Sequence, residues 1–266
     1  MEWLQIIVLS LIQGLTEFLP VSSSAHLILP SLLTDWPDQG LAFDIAVHAG
    51  SLLAVLAYFR SEMAQFAISG TRLVVRQHYD EHTELLLKII VATLPVAIVG
   101  YALKDWVATE LRSVLVIAAS TMVFAVALWW GDRHRGTIDQ PNWLQTLLIG
   151  SAQVLAIVPG TSRSGLTITA ALLLGLSRTG AARFSFLLSI PTIFGAALLA
   201  TLDLLEADDS ARWTDLALGT ALAALCAYAC IHYFIALVER TGMMPYVIYR
   251  LLLGVVLVGL VLSAAV

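Results

Sequence analysis

Apolar residues run in long blocks near residues 3–33, 41–59, 86–103, 113–131, 143–177, 181–203, 214–238 and 245–266. Six of these blocks are nearly free of charge and reach the roughly 20 residues that an α-helix needs to cross a bilayer. The blocks 3–33 and 143–177 differ. Each is interrupted by a polar stretch containing proline: Leu19-Pro20-Val21-Ser22-Ser23-Ser24 in the first and Val158-Pro159-Gly160-Thr161-Ser162-Arg163-Ser164 in the second. The half-segments on either side are too short to span. Proline removes a backbone donor and breaks a helix. Irregular backbone at membrane depth is tolerated only inside protein or beside a wet cavity. The pattern therefore predicts two re-entrant helical hairpins meeting near the midplane.

The order of blocks repeats. Pro20 aligns with Pro159 at an offset of 139, which sets Ser22 and Ser23 on Thr161 and Ser162. Phe43 aligns with Phe184 at an offset of 141. Each half reads as one hairpin followed by three spans, and an odd number of crossings makes the second half enter from the opposite side. The expectation is an all-α polytopic membrane protein: one domain over 1–266, six transmembrane helices and two re-entrant hairpins, in an inverted-topology repeat of 1–131 and 143–266. A site is then expected on the broken helices, where the repeats meet.

Composition agrees. Of 266 residues, 59% are hydrophobic and 12% charged, against about 25% charged in a soluble domain. A net charge of −5 offers no basic footprint for nucleic acid. Cys226 and Cys230, four apart in an apolar run, read as packing residues. The N-terminus has no basic n-region or cleavage site, so the first block is expected to stay in the mature chain. Loops on one side hold Arg60, Arg72, Arg76, Lys88, Arg133, Arg135, Arg178, Arg183, Arg240 and Arg250. Those on the other hold Lys104, Arg112 and Arg212, beside Asp35, Asp38, Glu206, Asp208 and Asp209. The positive-inside rule puts the first set in the cytoplasm and both termini outside. The stretch 60–85 reads as a solvated cytoplasmic connector.

Few charges remain at membrane depth, where ionisable groups default to function. Gln13 and Glu17 share one helix face. A carboxylate there can ligate a hard divalent cation such as Mg²⁺ or Ca²⁺, or act as a general base. Ser22, Ser23 and Ser24 precede the second half-helix, with His26 one turn on. Serine caps helices, but three serines exceed that need. Helix N-termini attract phosphate, and a hydroxyl beside an imidazole suits nucleophilic catalysis. In the second break, Gly160 permits a tight turn. Thr161, Ser162, Ser164 and Thr167 offer hydroxyls, and Arg163 offers a planar fork suited to phosphate oxygens. An acid in one hairpin and an arginine in the other describe a site for a pyrophosphate with a metal. Asp44 and His48 form either a local hydrogen bond or a proton relay. His232 reads as a packing histidine, and Pro191 predicts a kink in its helix.

On these residues the chain resembles the bacterial undecaprenyl-pyrophosphate phosphatases, the family linked to bacitracin resistance. The resemblance is carried by QGLTEFLPVSSSAHL at 13–27, AFDIAVHAGSLLAVLAYF at 42–59, PGTSRSGLT at 159–167 and FSFLLSIPTIFGAA at 184–197. The family's E/Q-x-x-x-E motif falls on Gln13 and Glu17. Its P-G-x-S-R-S-x-x-T motif falls on Pro159, Gly160, Ser162, Arg163, Ser164 and Thr167. Its essential histidine falls on His26 and its candidate serine on Ser23. Ala25 stands where a glycine is common, and Gln13 leaves one carboxylate in the first motif. The resemblance implies hydrolysis of undecaprenyl pyrophosphate to undecaprenyl phosphate and inorganic phosphate with a divalent cation. That reaction recycles the lipid carrier for peptidoglycan and confers bacitracin resistance. It also implies a bacterial inner-membrane location with a site open to the periplasm. Ser23, His26 and water remain alternatives as the attacking group. The polyprenyl tail is expected in an apolar groove near Pro191. The partners are the lipid substrate and membrane lipid, with no nucleic acid, and a homodimer is an option left open. The rival reading is a flippase for undecaprenyl phosphate, which needs the arginine but not the Glu17–Ser23–His26 cluster.

Overall fold

A computed structural model describes all residues except 35, 112, 135, 207–211 and 264–266; the side chains at 32, 33, 104, 105, 107–110, 205 and 206 are likewise outside it. Among the described residues the chain is eleven α-helices and one 3₁₀ turn. The helices are α1 Trp3–Thr16, α2 Ser23–Leu33, α3 Gly40–Tyr58, α4 Arg60–Arg76, α5 Glu81–Glu110 and α6 Val114–Arg133. They continue with α7 Trp143–Gln153, α8 Arg163–Leu173, α9 Arg178–Glu206, α10 Trp213–Thr241 and α11 Met244–Leu262. The 3₁₀ turn Val154–Ile157 extends α7.

The six long apolar helices are α3, α5, α6, α9, α10 and α11, the six blocks expected to span. Leu94, Ile98, Val123, Leu225, Leu252 and Val255 on these helices are exposed. Large exposed apolar surface marks contact with something other than water. Helices of spanning length that bare leucine and valine on their outer faces make this a multi-pass membrane protein. α9 runs from Arg178 to Glu206 with Pro191 inside it.

The two interrupted blocks each form a short helix, a break and a second short helix. They match at an offset of 140: α1 and α7 begin on Trp3 and Trp143, and α2 and α8 cover Ser23–Leu33 and Arg163–Leu173. The residues before α2 and α8, Ser22 and Ser162, have φ of 74° and 69°. Their hydroxyls sit 3.2 Å from those of Ser24 and Ser164 respectively. This corrects the offset of 139. Proline alignment misplaces the register by one because the second break holds one more residue between its proline and its strained serine. The first half of each unit packs on the middle span of the other half of the chain, α1 on α10 and α7 on α5.

Two expectations about charge are corrected. Residues 60–76 form α4, not a loop: Phe66 and Ser69 are buried, and Glu62 pairs with Arg183 at 2.6 Å. The apolar residues there recur with helical period, so one face packs while the arginines stay out. Arg250 is no loop charge either. It lies inside α11 and is fully buried. Of the remaining charges used for orientation, Asp35, Arg112, Arg135, Asp208 and Asp209 lie outside the described residues, as do the side chains of Lys104 and Glu206.

Candidate functional site

The breaks between α1 and α2 and between α7 and α8 face each other across a cavity of about 280 Å³. Glu17, Ser22, Ser23, Ser24, Ser162 and Arg163 line it, with His48 of α3 and apolar walls from α5 and α9. Val96, Thr192 and His48 lie near the middle of their helices, so the cavity sits at mid-span depth.

Glu17 is the hub. Arg163 donates from Nη2 to Glu17 Oε1 at 2.8 Å, across 146 residues of chain. Ser23 donates its hydroxyl to Glu17 Oε2 at 2.8 Å. Gln13 donates from Nε2 to the same oxygen at 3.1 Å, and His48 Nε2 stands 3.8 Å away. Glu17 is almost fully buried, while Ser23 and Arg163 are partly open to the cavity. A buried carboxylate is tolerated because Arg163, Ser23 and Gln13 all donate to it. Arg163 also donates from Nη1 to the Ser185 carbonyl at 3.3 Å, which aims the fork from the start of α8 into the cavity.

The other expected site residues divide. Ser22 and Ser162 line the cavity, and Ser162 caps α8 by accepting from the Gly165 amide. Gly160, Thr161, Ser164 and Thr167 build the break instead. Thr161 donates to the Val158 carbonyl and Ser164 to the Leu19 carbonyl. Thr167 donates to the Arg163 carbonyl. Gly160 has φ 91°, and a Cβ there would stand 2.3 Å from Ser120 Oγ and 2.5 Å from the Ile117 carbonyl oxygen. Only glycine allows that approach to α6.

His26 does not line the cavity. Its Nδ1 is 2.6 Å from the Ser22 carbonyl and its Nε2 is 2.5 Å from the Tyr249 hydroxyl. A carbonyl only accepts, so Nδ1 carries the proton and Nε2 accepts from Tyr249. His26 thus ties the first break to α11. His48 makes the same local bond but lines the cavity: Nδ1 donates to the Asp44 carbonyl at 2.7 Å, leaving Nε2 toward Glu17. A local bond between Asp44 and His48 exists, and its acceptor is the backbone carbonyl of Asp44. His232 is exposed and lies edge-on to Tyr58.

For a divalent cation, the residues supply a limited donor set. Gln13 Oε1 is buried with no hydrogen-bond partner, and Glu17 offers one carboxylate already paired with Arg163. Among the described residues no three of His, Cys, Asp and Glu cluster to hold a metal. This does not fit an all-protein cage. It fits a hard cation that takes one or two protein oxygens and completes its shell with phosphate oxygens and water, the usual habit of Mg²⁺.

Residues 6–256 match the family model described as bacitracin resistance protein BacA.

Proposed function

The chain belongs to the BacA family of bacitracin resistance proteins, the undecaprenyl pyrophosphate phosphatase family, and from that premise we propose that it hydrolyses undecaprenyl pyrophosphate to undecaprenyl phosphate and inorganic phosphate. One observation carries this reading to the residues. A serine hydroxyl, a carboxylate and an arginine fork from two distant breaks meet in one cavity, with Ser23 and Arg163 on the two oxygens of Glu17.

A carboxylate that accepts a hydroxyl proton is placed to activate that hydroxyl. Ser23 Oγ attacks the terminal phosphorus as its proton passes to Glu17. The bond to the bridging oxygen breaks, and undecaprenyl phosphate leaves. Glu17 passes that proton to the departing undecaprenyl phosphate; water then attacks the phosphoserine, its proton goes to Glu17, and the freed serine oxygen takes it back as inorganic phosphate leaves. Arg163 exchanges part of its hold on Glu17 for phosphate oxygens and stabilises the charge that builds there. A divalent cation held by Glu17 and Gln13 with the phosphates would neutralise charge on the pyrophosphate. Ser22 and Ser162 supply further hydroxyls. His26 keeps the first break in place.

The two break units are read as re-entrant hairpins of an inverted repeat, supported by their shared offset and backbone. The orientation with the cavity open to the periplasm of a bacterial inner membrane rests on the loop arginines, whose excess survives the removal of Arg250. An apolar groove of about 350 Å³ between α3, α4, α5 and α9, lined by Leu187, Ile190, Pro191 and Phe194, shares α5 and α9 with the cavity and suits the polyprenyl tail. Among the described residues nothing supports the homodimer. A flippase needs no nucleophile, and the Ser23–Glu17 bond favours hydrolysis.

The test is phosphate release from undecaprenyl pyrophosphate by purified protein, with and without chelator, beside Ser23→Ala. Release by wild type and loss in Ser23→Ala are expected. No release at any metal concentration refutes the enzyme reading. Full activity in Ser23→Ala makes water the attacking group.

A further inference from the structure

Arg250 is the largest fully buried side chain of the described residues, at 0% exposure in α11. A cation at that depth is expensive, and among the described residues no carboxylate pairs with it. Its partners are all backbone carbonyls. Nε donates to Thr121 of α6 at 3.1 Å, and Nη1 donates to Pro20 in the first break at 3.2 Å. Nη2 donates to Gly160 at 3.1 Å and Thr161 at 2.9 Å, both in the second break. One guanidinium therefore bridges both breaks and a spanning helix.

The carbonyls it holds are not arbitrary. Pro20 lies two residues before Ser22, and Thr161 immediately precedes Ser162. Those two serines have φ of 74° and 69°, a region that costs a non-glycine residue of order 1–3 kcal/mol and persists only where surroundings over-determine it. Each strained serine is followed at once by a residue on Glu17: Ser23 after Ser22, and Arg163 after Ser162. Gly165 leaves the room, since a Cβ there would stand 2.8 Å from Arg250 Nη1. The neighbouring Tyr249 adds the bond to His26.

We propose that Arg250 is a positioning residue of the site: by bonding the carbonyls ahead of both strained serines, it sets the distance between Ser23 and Arg163. It does not line the cavity and so acts through those residues. The proposal rests on the phosphatase reading of the cavity, and one arm of its test is independent of activity.

Lysine at 250 keeps the charge but not the fork. A misplacement of about 1 Å at a reacting pair can cost about 100-fold in rate. In Arg250→Lys, kcat for undecaprenyl pyrophosphate should fall about 10- to 100-fold, with KM within about threefold, the pattern of lost transition-state geometry. In Arg250→Ala, added methylguanidinium should restore turnover and ammonium should not. Amide exchange in full-length Arg250→Lys should quicken at residues 18–24 and 158–165 together, and stay at the wild-type rate in the α4–α5 turn. A raised KM with unchanged kcat would make Arg250 a substrate-binding cation and overturn the proposal. So would unchanged exchange at the breaks, or faster exchange throughout the chain. If wild type releases no phosphate, the phosphatase reading fails, and the exchange arm still decides whether the clamp exists.

Discussion

Replacing Arg163 by Lys and by Ala separates what its charge does from what its shape does. The fork makes two contacts, Nη2 to Glu17 Oε1 at 2.8 Å and Nη1 to the Ser185 carbonyl at 3.3 Å. Lysine leaves Glu17 a counterion, so the fold should survive with a small shift in thermal midpoint. It cannot hold Glu17 and Ser185 while offering paired donors to a phosphate. Losing one preorganised donor to a developing anion costs about 3–4 kcal/mol, or roughly 10²–10³ in kcat. Alanine removes the charge as well. An almost buried carboxylate left without its cation destabilises by about 3–5 kcal/mol, so Arg163→Ala should lose both rate and thermal midpoint. The assay is phosphate release from undecaprenyl pyrophosphate in parallel with thermal unfolding of the purified protein in the same detergent. Arg163→Lys with wild-type kcat would refute a clamping role. Equal loss of stability in the Lys and Ala variants would show that the residue serves the fold and not the chemistry.

Gly160→Ala should cut the yield of folded protein and lower its midpoint by an amount equivalent to about 2–4 kcal/mol, because strain at φ 91° adds to contact with Ser120 and Ile117; a wild-type midpoint would mean that the break can shift away from α6. Ile190→Trp, which fills the apolar groove, should raise KM for undecaprenyl pyrophosphate and leave KM for a short-chain prenyl pyrophosphate unchanged; equal effects on both would remove the tail from this groove. In the α4–α5 turn, Asp80 accepts from the Thr83 amide and hydroxyl and from Ser69. The Thr83 amide, first among these, lowers its pKa from 3.8 to about 2. A depressed carboxylate stabilises the turn fully above its unfolded pKa, and this is lost as pH falls through the folded one. Amide exchange at residues 80–84 should therefore quicken as pH drops from about 4 to about 2, beyond the intrinsic pH dependence, and Asp80→Asn should flatten that change.

The spans and the central charges were legible for one reason: a bilayer makes both length and charge expensive. Blocks such as 113–131 and 245–266 need no more than a count of apolar residues. Glu17 and Arg163 stand out because each is the one Asp, Glu, Lys or Arg in its interrupted block. What escaped the sequence had no such signal. α4 carries its pattern as a period and not as a run, so a search for apolar length passes over it. Arg250 lies six residues into α11, close enough to the helix end to be taken for a flanking charge. Its partners are carbonyls, which every residue possesses. His26 kept its place beside Ser22, but its tie to Tyr249 spans 223 residues and depends on how α11 meets the break. His48 was legible only as half of a local pair, because its approach to Glu17 requires α3 to pack beside α1.

The offset of 140 also accounts for how a symmetric frame carries asymmetric chemistry. Some paired positions hold the same residue. Ser22 and Ser162 meet Ser24 and Ser164 at 3.2 Å. Gln13 and Gln153 are both fully buried, each with one polar atom unpartnered. Glu17, Ser23 and Arg163 fall where the pairs differ. The position after the strained serine is Ser23 in one break and Arg163 in the other, and Glu17 faces Ile157 across the pairing. Phosphoryl transfer to a serine needs a nucleophile, a proton acceptor and a cation on one phosphorus, and two identical breaks could not supply all three. Two arginines on a single carboxylate would leave no nucleophile, and two serines would leave no countercharge for either the carboxylate or the pyrophosphate. The backbone of the repeat thus fixes where the two breaks approach, and the unlike residue at the same position in each determines what can react there.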